Sequence, residues 1–372
     1  MIKVGLGVTV LKQGQRNGYI DGIGVYTKHL LEELNTTPVD VKEFAFFSPK
    51  SVHGHSEIAL GKFSYQTIWS AVTKGSLWSA EEVDKRVDLF HSTDHYIPKL
   101  KKTPVVATIM DPITLSHPEW VAGKGRKIKN YLFRSSAQWA QQIITISAYS
   151  AEAIAYHFGI PESRITVIPL GVEECCHQKI SDEKIKRVLE YYQLPEKCFI
   201  NIGTIQPRKN IARLIAAHNL LPLEIQEKHP LVIIGRNGWN SDQLVKKLQQ
   251  NAYGKYVRWI NYISIEDKYA LLQSSLALVF PSLYEGFGLP ILEAFASNTP
   301  VISSNVTAIP EVVGDAGVLI NPYSEQEIAN AMHSMATNSA LRRELKQKGR
   351  ERVKLYSWRN TAKKTQDVYS SL

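Results

Sequence analysis

The sequence predicts an α/β protein built from two Rossmann-like domains that face each other across a cleft. Short β-branched runs alternate with amphipathic helical segments over the 372 residues, and this alternation is typical of parallel sheets. The runs form two successive series of about six strands each, which is more than one such sheet comfortably holds. Two domains accommodate both series, and the ligand is expected at the carboxyl ends of the strands.

The predicted strands divide close to residue 170. The first series comprises residues 2–10, 41–47, 88–91, 105–110, 143–146 and 165–168. The second series comprises residues 199–202, 231–234, 257–262, 276–280, 301–303 and 318–320. We therefore expect an N-terminal domain over 1–170, a C-terminal domain over 171–356, and a last helix over 357–372.

The charge and the cysteines limit the classes of function. The chain has 44 Lys and Arg against 35 Asp and Glu, a net charge of +9, which suits a polyanionic ligand or an anionic membrane surface. No nucleic-acid motif accompanies the charge, so no nucleic-acid partner is expected. Cys175, Cys176 and Cys198 lack metal-ligand spacing and are typical of reduced thiols in a cytoplasmic protein. No apolar run is long enough to span a bilayer, so any membrane contact is expected to be peripheral, on the inner face.

The segment 282–294, SLYEGFGLPILEA, is the most informative stretch of the sequence. It follows an apolar run that predicts a buried parallel strand. Gly286 and Gly288 permit a tight turn close to a ligand, and Pro290 suits the first turn of a helix. The free N–H groups at the start of that helix form an anion site. Glu285 and Glu293 bracket this site, so the layout suits a phosphate with hydroxyls on either side, as in a nucleotide-sugar.

A second candidate phosphate site is the segment 203–210, GTIQPRKN, which also follows a predicted strand. Asn210 is a suitable N-cap for the helix that begins after it. Arg208 and Lys209 would then lie between a strand end and a helix start, where two cations suit a diphosphate leaving group. The alternative is a solvated pair, which is the usual role of adjacent Arg and Lys residues.

A glycine-containing turn, Asp21–Tyr26 in the sequence DGIGVY, is predicted between the first strand and a helix over 27–34. Gly22 and Gly24 alone are a weak signal, and they do not complete the dinucleotide fingerprint. Ordinary turn chemistry is the alternative explanation for both glycines.

Together these motifs resemble the retaining GT-B glycosyltransferases of family 4. Glu285 and Glu293 match the family's pair of glutamates eight positions apart, and Arg208 and Lys209 match its phosphate-binding motif. The resemblance implies that these cations, with the main-chain N–H groups of Gly288 and Leu289, bind the donor diphosphate. It also implies that Glu285 contacts the sugar hydroxyls. Glu293 would bind the nucleotide ribose.

The resemblance extends to the remaining motifs. It implies that Gly286 and Phe287 belong to the donor loop, that the main chain near Ile263 binds the nucleobase, and that the Gly22–Gly24 loop closes over the phosphates beside the acceptor. The segment 235–239, GRNGW, resembles a motif of GDP-mannose-dependent O-antigen mannosyltransferases, although simple packing explains Trp239 equally well. The family also implies that the last helix crosses back to the N-terminal domain.

The segment that begins at Met110 departs from the family pattern. Related mannosyltransferases have a His at this position, followed by an Asp and later by a His-Pro-Glu triplet. Here Asp111, His117 and Glu119 are present, but Met110 replaces the first His. Asp111 is therefore retained as a candidate catalytic residue, and a role for a histidine at position 110 is in doubt.

Two further features concern metal and membrane. The chain has no Asp-x-Asp motif, so we expect no cofactor and no divalent metal, with the two cations and a helix dipole acting on the diphosphate instead. The basic segment 124–142 could form a surface helix on anionic lipid. A core-packed helix with a solvated basic face is the commoner alternative.

The combined prediction is a retaining, metal-independent hexosyltransferase in surface polysaccharide synthesis. It would move mannose from GDP-mannose, the favoured nucleotide-diphosphate donor, to a glycan or lipid-linked saccharide. One alternative is a non-catalytic nucleotide-sugar-binding subunit, a degenerate transferase, which only Met110 suggests. A glycosidase that uses Glu285 and Glu293 ranks lower, because it leaves the phosphate-type loops unexplained.

Overall fold

The computed structural model describes residues 2–46, 58–73, 75–121, 125–173 and 178–372. The chain folds as two compact units. The first contains Met1–Pro118, Gly123–Gly171 and Trp358–Leu372, and the second contains Glu119–Ala122 and Val172–Ser357. Cys175 and Cys176 lie outside the described residues. Cys198 is a free, buried thiol, and burial raises its pKa to about 12.

The first unit is organised around a parallel seven-stranded sheet with the order β3-β2-β1-β4-β5-β6-β7. Its strands are β1 (Lys3–Gly7), β2 (Asp40–Ala45), β3 (Ile58–Ala59), β4 (Leu89–Ser92), β5 (Val105–Thr108), β6 (Gln142–Thr145) and β7 (Ile165–Val167). Its helices, numbered along the whole chain, are α1 (Thr9–Arg16), α2 (Gly22–Leu34), α3 (Phe63–Thr73), α4 (Ala80–Asp84), α5 (Ile113–Ser116), α6 (Arg126–Ala137), α7 (Ala148–Ile154) and α17 (Trp358–Ser370).

The second unit has a parallel six-stranded sheet with the order β10-β9-β8-β11-β12-β13. Its strands are β8 (Phe199–Ile202), β9 (Leu231–Ile234), β10 (Val257–Ile260), β11 (Ala277–Phe280), β12 (Val301–Ser304) and β13 (Val318–Ile320). Its helices are α8 (Asp182–Tyr191), α9 (Ile211–Asn219), α10 (Leu223–Lys228), α11 (Asp242–Gln249), α12 (Ile265–Ser274), α13 (Leu289–Ala296), α14 (Ile309–Val313), α15 (Glu325–Thr337) and α16 (Ser339–Val353).

Both sheets have the Rossmann strand order, so the predicted α/β fold class is confirmed. In each sheet the second and third strands of the unit lie on one side of its first strand. The remaining strands lie on the other side of that first strand. The reversal lies between β1 and β4 in the first unit and between β8 and β11 in the second. Ligands of such sheets bind where the strand order reverses, at the carboxyl ends of the strands.

The first strand is shorter than the sequence predicts. β1 ends at Gly7, and the β-branched run that follows enters helix α1 instead of extending the strand to residue 10. Val8 and Leu11 are both buried, at a spacing that a helix also satisfies. The predicted strand over 2–10 is therefore wrong beyond Gly7.

The predicted glycine loop is also wrong. Helix α2 begins at Gly22 rather than at residue 27, because the Asp21 carboxylate accepts a hydrogen bond from Gly24 N at 2.8 Å and caps the helix. Gly22 and Gly24 thus lie in the first helical turn, and α1 separates this turn from β1.

The last helix, α17, is joined to the first unit through a buried chain of hydrogen bonds. Tyr369 of α17 contacts His91 Nδ1 at 2.6 Å, and His91 Nε2 contacts Thr108 Oγ1 at 2.8 Å. Thr108 in turn bonds the Tyr26 hydroxyl of α2 at 2.9 Å. Burial lowers the pKa of His91 to about 3, so this imidazole is neutral and its ring nitrogens serve the network.

Among the residues described, no helix combines the length and the apolar character needed to cross a membrane.

Candidate active site

The candidate site of the second unit lies where its strand order reverses. Arg208 and Lys209 follow β8, and Glu285 follows β11, the adjacent strand. The segment Pro207–Lys209 forms one 3-10 turn before α9. Leu283 N donates to Arg208 O at 2.7 Å, so the two loops are joined directly. The parallel pairing of β8 with β11 therefore brings together motifs that are more than seventy residues apart in the chain.

Glu285 is held by two cations. Its Oε1 lies 2.6 Å from Lys209 Nζ, and its Oε2 lies 2.9 Å from Arg208 Nη1. Glu285 and Lys209 are each only 8% exposed. Arg208 also donates to Tyr284 O at 3.0 Å, which fixes its guanidinium beside the loop. These three side chains are hereafter called the Arg–Lys–Glu cluster, and their summed formal charge is positive.

Burial and the neighbouring charges together lower the pKa values of both Glu285 and Lys209. Burial alone would raise the pKa of Glu285, but the charges of Arg208 and Lys209 outweigh it and lower the pKa to about 2. Burial lowers the pKa of Lys209 to about 8, against the opposing effect of Glu285, and the charge of Arg208 lowers it further. At neutral pH the carboxylate is ionised and Lys209 is largely protonated.

The side chain of Lys209 lies against the backbone of the loop after β8. Its Nζ lies 4.6 Å from the centre of the Phe280 ring. A Cβ built at Gly203, which has φ +146°, would lie 3.6 Å from Lys209 Nζ. The lysine is thus confined between the end of β11 and the end of β8, with its ammonium group directed to Glu285. Such confinement lowers the cost of ordering the side chain when an anion binds.

Asn210 has a different role from the predicted one. It adopts a left-handed conformation with φ 60° and makes no side-chain cap to α9. Instead its Nδ2 donates to Pro281 O at 3.1 Å and to Pro322 O at 2.7 Å, and its Oδ1 accepts from Arg213. Asn210 therefore holds the cationic turn against the ends of two other strands.

The start of α13 has the glycine and proline geometry that the sequence predicts for a candidate anion site. Gly288 precedes the helix with φ +113°, a conformation that favours glycine, and Pro290 occupies its first turn. Leu289 begins the helix, and Phe287 is buried with its ring 5.8 Å from that of Tyr356. Gly286 links Glu285 to Phe287 in the loop before the helix. The N-terminus of α13 and Glu285 of the Arg–Lys–Glu cluster thus belong to the same short loop, between β11 and α13.

The glycines of the segment 235–239 are explained by close packing onto the loop after β8. Gly235 has φ +157°, and a Cβ there would lie 1.9 Å from Gly203 O. A Cβ at Gly238 would lie 2.6 Å from Ile205 O. Trp239 remains 44% exposed. The motif therefore shapes the backbone beside Lys209, while the indole lies at the surface.

The two remaining donor-site candidates of the second unit are Glu293 and Ile263. Glu293 is four residues into α13, and its carboxylate is 2.8 Å from Lys268 Nζ of α12. Ile263 is partly exposed in the turn that follows β10. Next to it, Tyr262 is 61% exposed, with Arg236 over its ring at 4.9 Å. This turn therefore presents main chain beside an exposed aromatic ring.

The other candidates lie in the first unit. Gly22 and Gly24 form the first turn of α2, and Asp111 lies after β5, where its Oδ1 accepts a hydrogen bond from Ile113 N at 2.9 Å. The bond between Tyr26 and Thr108 connects α2 to the last residue of β5. These candidates therefore share the carboxyl edge of the first sheet. Met110 is partly buried, directly before Asp111.

Sequence reasoning missed two residues that the structure adds to the site. Lys268 pairs with Glu293, and Thr307 accepts a hydrogen bond from Glu285 N at 3.3 Å. Neither residue belongs to a motif, and both reach the site through tertiary packing. In the part of the chain that the structure describes, no three His, Cys, Asp or Glu side chains form a group that could hold a metal ion.

The fold and this site define a GT-B glycosyltransferase. The model for glycosyl transferases group 1 matches residues 183–352, and the model for glycosyltransferase family 4 matches residues 20–174. Each matched region coincides with most of one unit. The chain belongs to this family of glycosyltransferases, which confirms the resemblance seen in the motifs.

Named relatives agree with this assignment. The chain is 33% identical over 288 residues to O-antigen chain mannosyltransferase B of Escherichia coli, covering 76% of this chain and 74% of that protein. It is 34% identical over 227 residues to serotype-specific mannosyltransferase WbdA of Escherichia coli, where the match covers 60% of this chain and 28% of the longer relative.

Solved structures show the same fold at low sequence identity. Anabaena HepE, determined in complex with UDP-glucose, superposes with a TM-score of 0.76 over 100% of both chains at 15% identity. The likeness therefore extends over both units, whereas the identity is too low to carry site residues from one protein to the other.

Proposed function

We propose that this chain is a retaining, metal-independent mannosyltransferase that uses GDP-mannose. The acceptor is a glycan or a lipid-linked saccharide in surface polysaccharide synthesis. The proposal rests chiefly on one observation, the buried Arg–Lys–Glu cluster beside the N-terminus of α13. Mannose and the polysaccharide role are supported by the names of the O-antigen relatives, and a nucleotide-sugar donor is supported by the UDP-glucose complex of HepE.

The cluster suits stabilisation of a diphosphate leaving group. When the bond between the anomeric carbon and the phosphate oxygen breaks, negative charge grows on the diphosphate. Arg208, Lys209 and the N–H groups of Gly288 and Leu289 are already held in place, so they stabilise that charge with little reorganisation. These groups take the role that a divalent cation has in transferases with an Asp-x-Asp motif.

Retention follows from attack on the same face of the sugar. The acceptor hydroxyl forms its bond to the anomeric carbon as the carbon–phosphate-oxygen bond breaks, and a phosphate oxygen of the leaving diphosphate takes the hydroxyl proton. The products are the extended saccharide and the nucleoside diphosphate. No side chain needs to act as the general base in this scheme, so Met110 is compatible with turnover.

The carboxylates position the donor in this scheme. Glu285 accepts hydrogen bonds from the sugar hydroxyls once the diphosphate shares Arg208 and Lys209. Glu293 accepts hydrogen bonds from the ribose, and the main chain near Ile263 contacts the base. In the first unit, Asp111 and the turn containing Gly22 and Gly24 bind the acceptor.

A panel of donors tests the proposal. Thermal shifts are measured with GDP-, UDP- and ADP-sugars, and product formation is followed by mass spectrometry with saccharide acceptors. GDP-mannose is expected to give the largest shift and turnover. Turnover of a UDP- or ADP-sugar in preference to GDP-mannose would contradict the donor assignment.

The binding-subunit alternative is tested at Met110. Wild type and Met110→His are compared with the same donors. We expect wild type to be active and Met110→Ala to lose only modest turnover, because a thioether can position a substrate but cannot act as a base. Activity that appears only in Met110→His would favour a non-catalytic subunit.

Peripheral contact with an anionic membrane from the cytoplasmic side is a second part of the proposal. Helix α6 exposes Ile128 and Tyr131, at 67% and 68%, among the cations Lys127, Lys129 and Arg134. Helix α3 exposes Tyr65, Ile68 and Trp69 at helical spacing. Apolar side chains beside cations are the pattern of interfacial helices.

Vesicle sedimentation tests the membrane contact. Binding is expected to require anionic lipid, to weaken with salt, and to fall in a Lys127→Glu, Lys129→Glu variant. Equal recovery in the supernatant with and without anionic vesicles at low salt would contradict it.

A further inference from the structure

A pocket of about 520 Å³ lies at the opposite end of α13 from the Arg–Lys–Glu cluster. It is lined by the end of α13, the end of α16, Gln273 at the end of α12, and the segment that leads into α8. Its volume is typical of small-molecule sites. The eight residues of α13 place roughly 12 Å between the two helix ends, so the pocket is separate from the donor site. All of its lining residues belong to the second unit.

Two polar groups in the pocket wall have no hydrogen-bond partner. Ser297 is 2% exposed, and neither its Oγ nor Asn298 Oδ1 makes a hydrogen bond to any described residue. Both residues follow the last turn of α13, where Asn298 has φ 58°. Their main-chain N–H groups bond Glu293 O and Phe295 O, so only the side chains are unsatisfied. Unpaired polar atoms at such burial are rare and call for a partner.

The charged groups around the pocket are mostly cationic. Lys179, Arg350 and Lys354 line it, against the single carboxylate of Asp182. Lys354 is paired with Glu351, whereas Arg350 has no hydrogen bond or ion pair with any residue described. The cations on α16 also complement the negative end of that helix dipole, but this explains neither the cavity nor the unsatisfied side chains of Ser297 and Asn298.

The wall between these polar groups is apolar. Ile180 and Ile185 are partly exposed and line the pocket together with Phe295 and Val353. Gln273 fixes one side, because its Oε1 accepts a hydrogen bond from Ile180 N at 3.0 Å. The pocket therefore combines an apolar surface with the unpaired guanidinium of Arg350. It also contains two polar side chains, Ser297 and Asn298, that lack hydrogen bonds to any described residue although their main-chain N–H groups are bonded.

We infer that this pocket binds a small anionic saccharide, a sugar that carries one phosphate or carboxylate. Arg350 and Lys179 bind the anionic group, since an unpaired guanidinium matches a phosphate or carboxylate with two hydrogen bonds. The sugar hydroxyls bond Ser297 and Asn298 after small rotations of these side chains. The C–H face of the ring packs on Ile180 and Ile185. Asp182 accepts a further hydroxyl and disfavours ligands with several negative charges.

Calorimetric titration of the full chain with mannose 6-phosphate tests the inference. We expect saturable binding of one molecule per chain. Arg350→Glu should weaken it by tenfold or more, about the worth of one charged hydrogen bond. Arg343→Glu is the matched control, because it reverses a charge on the same helix at an exposed position outside the pocket. It is expected to change the affinity less than about twofold.

Two further variants locate the site and distinguish it from the donor site. Ser297→Ala is expected to leave the melting temperature of the free protein unchanged or raised, because it removes an unsatisfied polar atom, and to reduce the stabilisation by ligand. Lys209→Ala is expected to leave the affinity for mannose 6-phosphate unchanged. The inference is overturned if no saturable binding is seen, if Arg343→Glu weakens binding as much as Arg350→Glu, or if Lys209→Ala abolishes it.

Discussion

Lys209 Nζ lies 2.6 Å from Glu285 Oε1, in a pair that is almost fully buried. Arg208 lies 2.9 Å from the other carboxylate oxygen. A buried carboxylate with two cations leaves one positive charge in excess at the start of α13. In the proposed function, this excess attracts the donor diphosphate, and Glu285 keeps the two cations in place before the donor binds.

Replacing Lys209 should affect turnover most. Lys209→Ala removes a preorganised cation from the diphosphate and is expected to lower kcat by about 10²–10³. Single-turnover rates with the preferred donor measure this loss. Lys247→Ala, which removes an exposed lysine from α11, is the control and is expected to change kcat far less. Near-normal kinetics in Lys209→Ala would contradict the phosphate assignment.

The lowered pKa of Lys209 predicts a particular pH profile. Lys209 loses its proton as the pH rises through about 8 in the free protein, so kcat/KM is expected to fall there. A bound diphosphate raises the pKa of the lysine, so the fall in kcat lies at higher pH. Lys209→Arg keeps its charge across this range and should lack the fall near pH 8. The same profile in Lys209→Arg would assign it to another group.

Glu293 is expected to affect nucleotide binding rather than chemistry. Glu293→Ala removes the acceptor for the ribose hydroxyls, so the Kd for the nucleoside diphosphate should rise by about tenfold, with a small change in the single-turnover rate. Lys268→Ala breaks the same ion pair but keeps the carboxylate, so it should bind nucleotide at least as well as wild type. Equal weakening in both variants, measured by calorimetry, would contradict the ribose role.

Gly235 is expected to be intolerant of a side chain. Gly235→Ala places a Cβ 1.9 Å from Gly203 O at φ +157°, so it should lower the free energy of unfolding by about 3 kcal/mol and displace the loop over Lys209. Gly254→Ala is the matched control, since Gly254 also has a positive φ but open space around it. That change should cost only about 1 kcal/mol. Urea denaturation followed by circular dichroism compares the two, and equal costs would contradict the packing argument.

The sequence predicted the fold class well, because the relevant signals are local. Buried parallel strands are continuous apolar runs, and twelve of the strands begin within or next to their predicted ranges. The two-residue strand β3 was missed because so short a segment has no periodicity. Residues 8–10 were assigned to the wrong element because their apolar spacing also suits the helix that forms there.

The sequence predicts which loops carry the candidate site, but it does not predict how their side chains pair. Motifs indicate candidate phosphate-binding side chains, whereas the pairing of β8 with β11 brings Glu285 to Arg208 and Lys209. The same limit applies to Lys268 and Asn210, whose contacts depend on distant backbone. These arrangements come from tertiary packing, which spacing along the chain does not encode.

Transfer in the presence of a chelator tests the central claim most directly. The wild-type protein is incubated with GDP-mannose, an acceptor saccharide and excess EDTA, and the anomeric configuration of the product is determined by NMR. Since Arg208, Lys209 and the start of α13 stabilise the leaving diphosphate in this account, activity should persist and the product should keep the configuration of the donor. Activity that disappears with EDTA and returns with Mg²⁺ or Mn²⁺, or a product of inverted configuration, would contradict it.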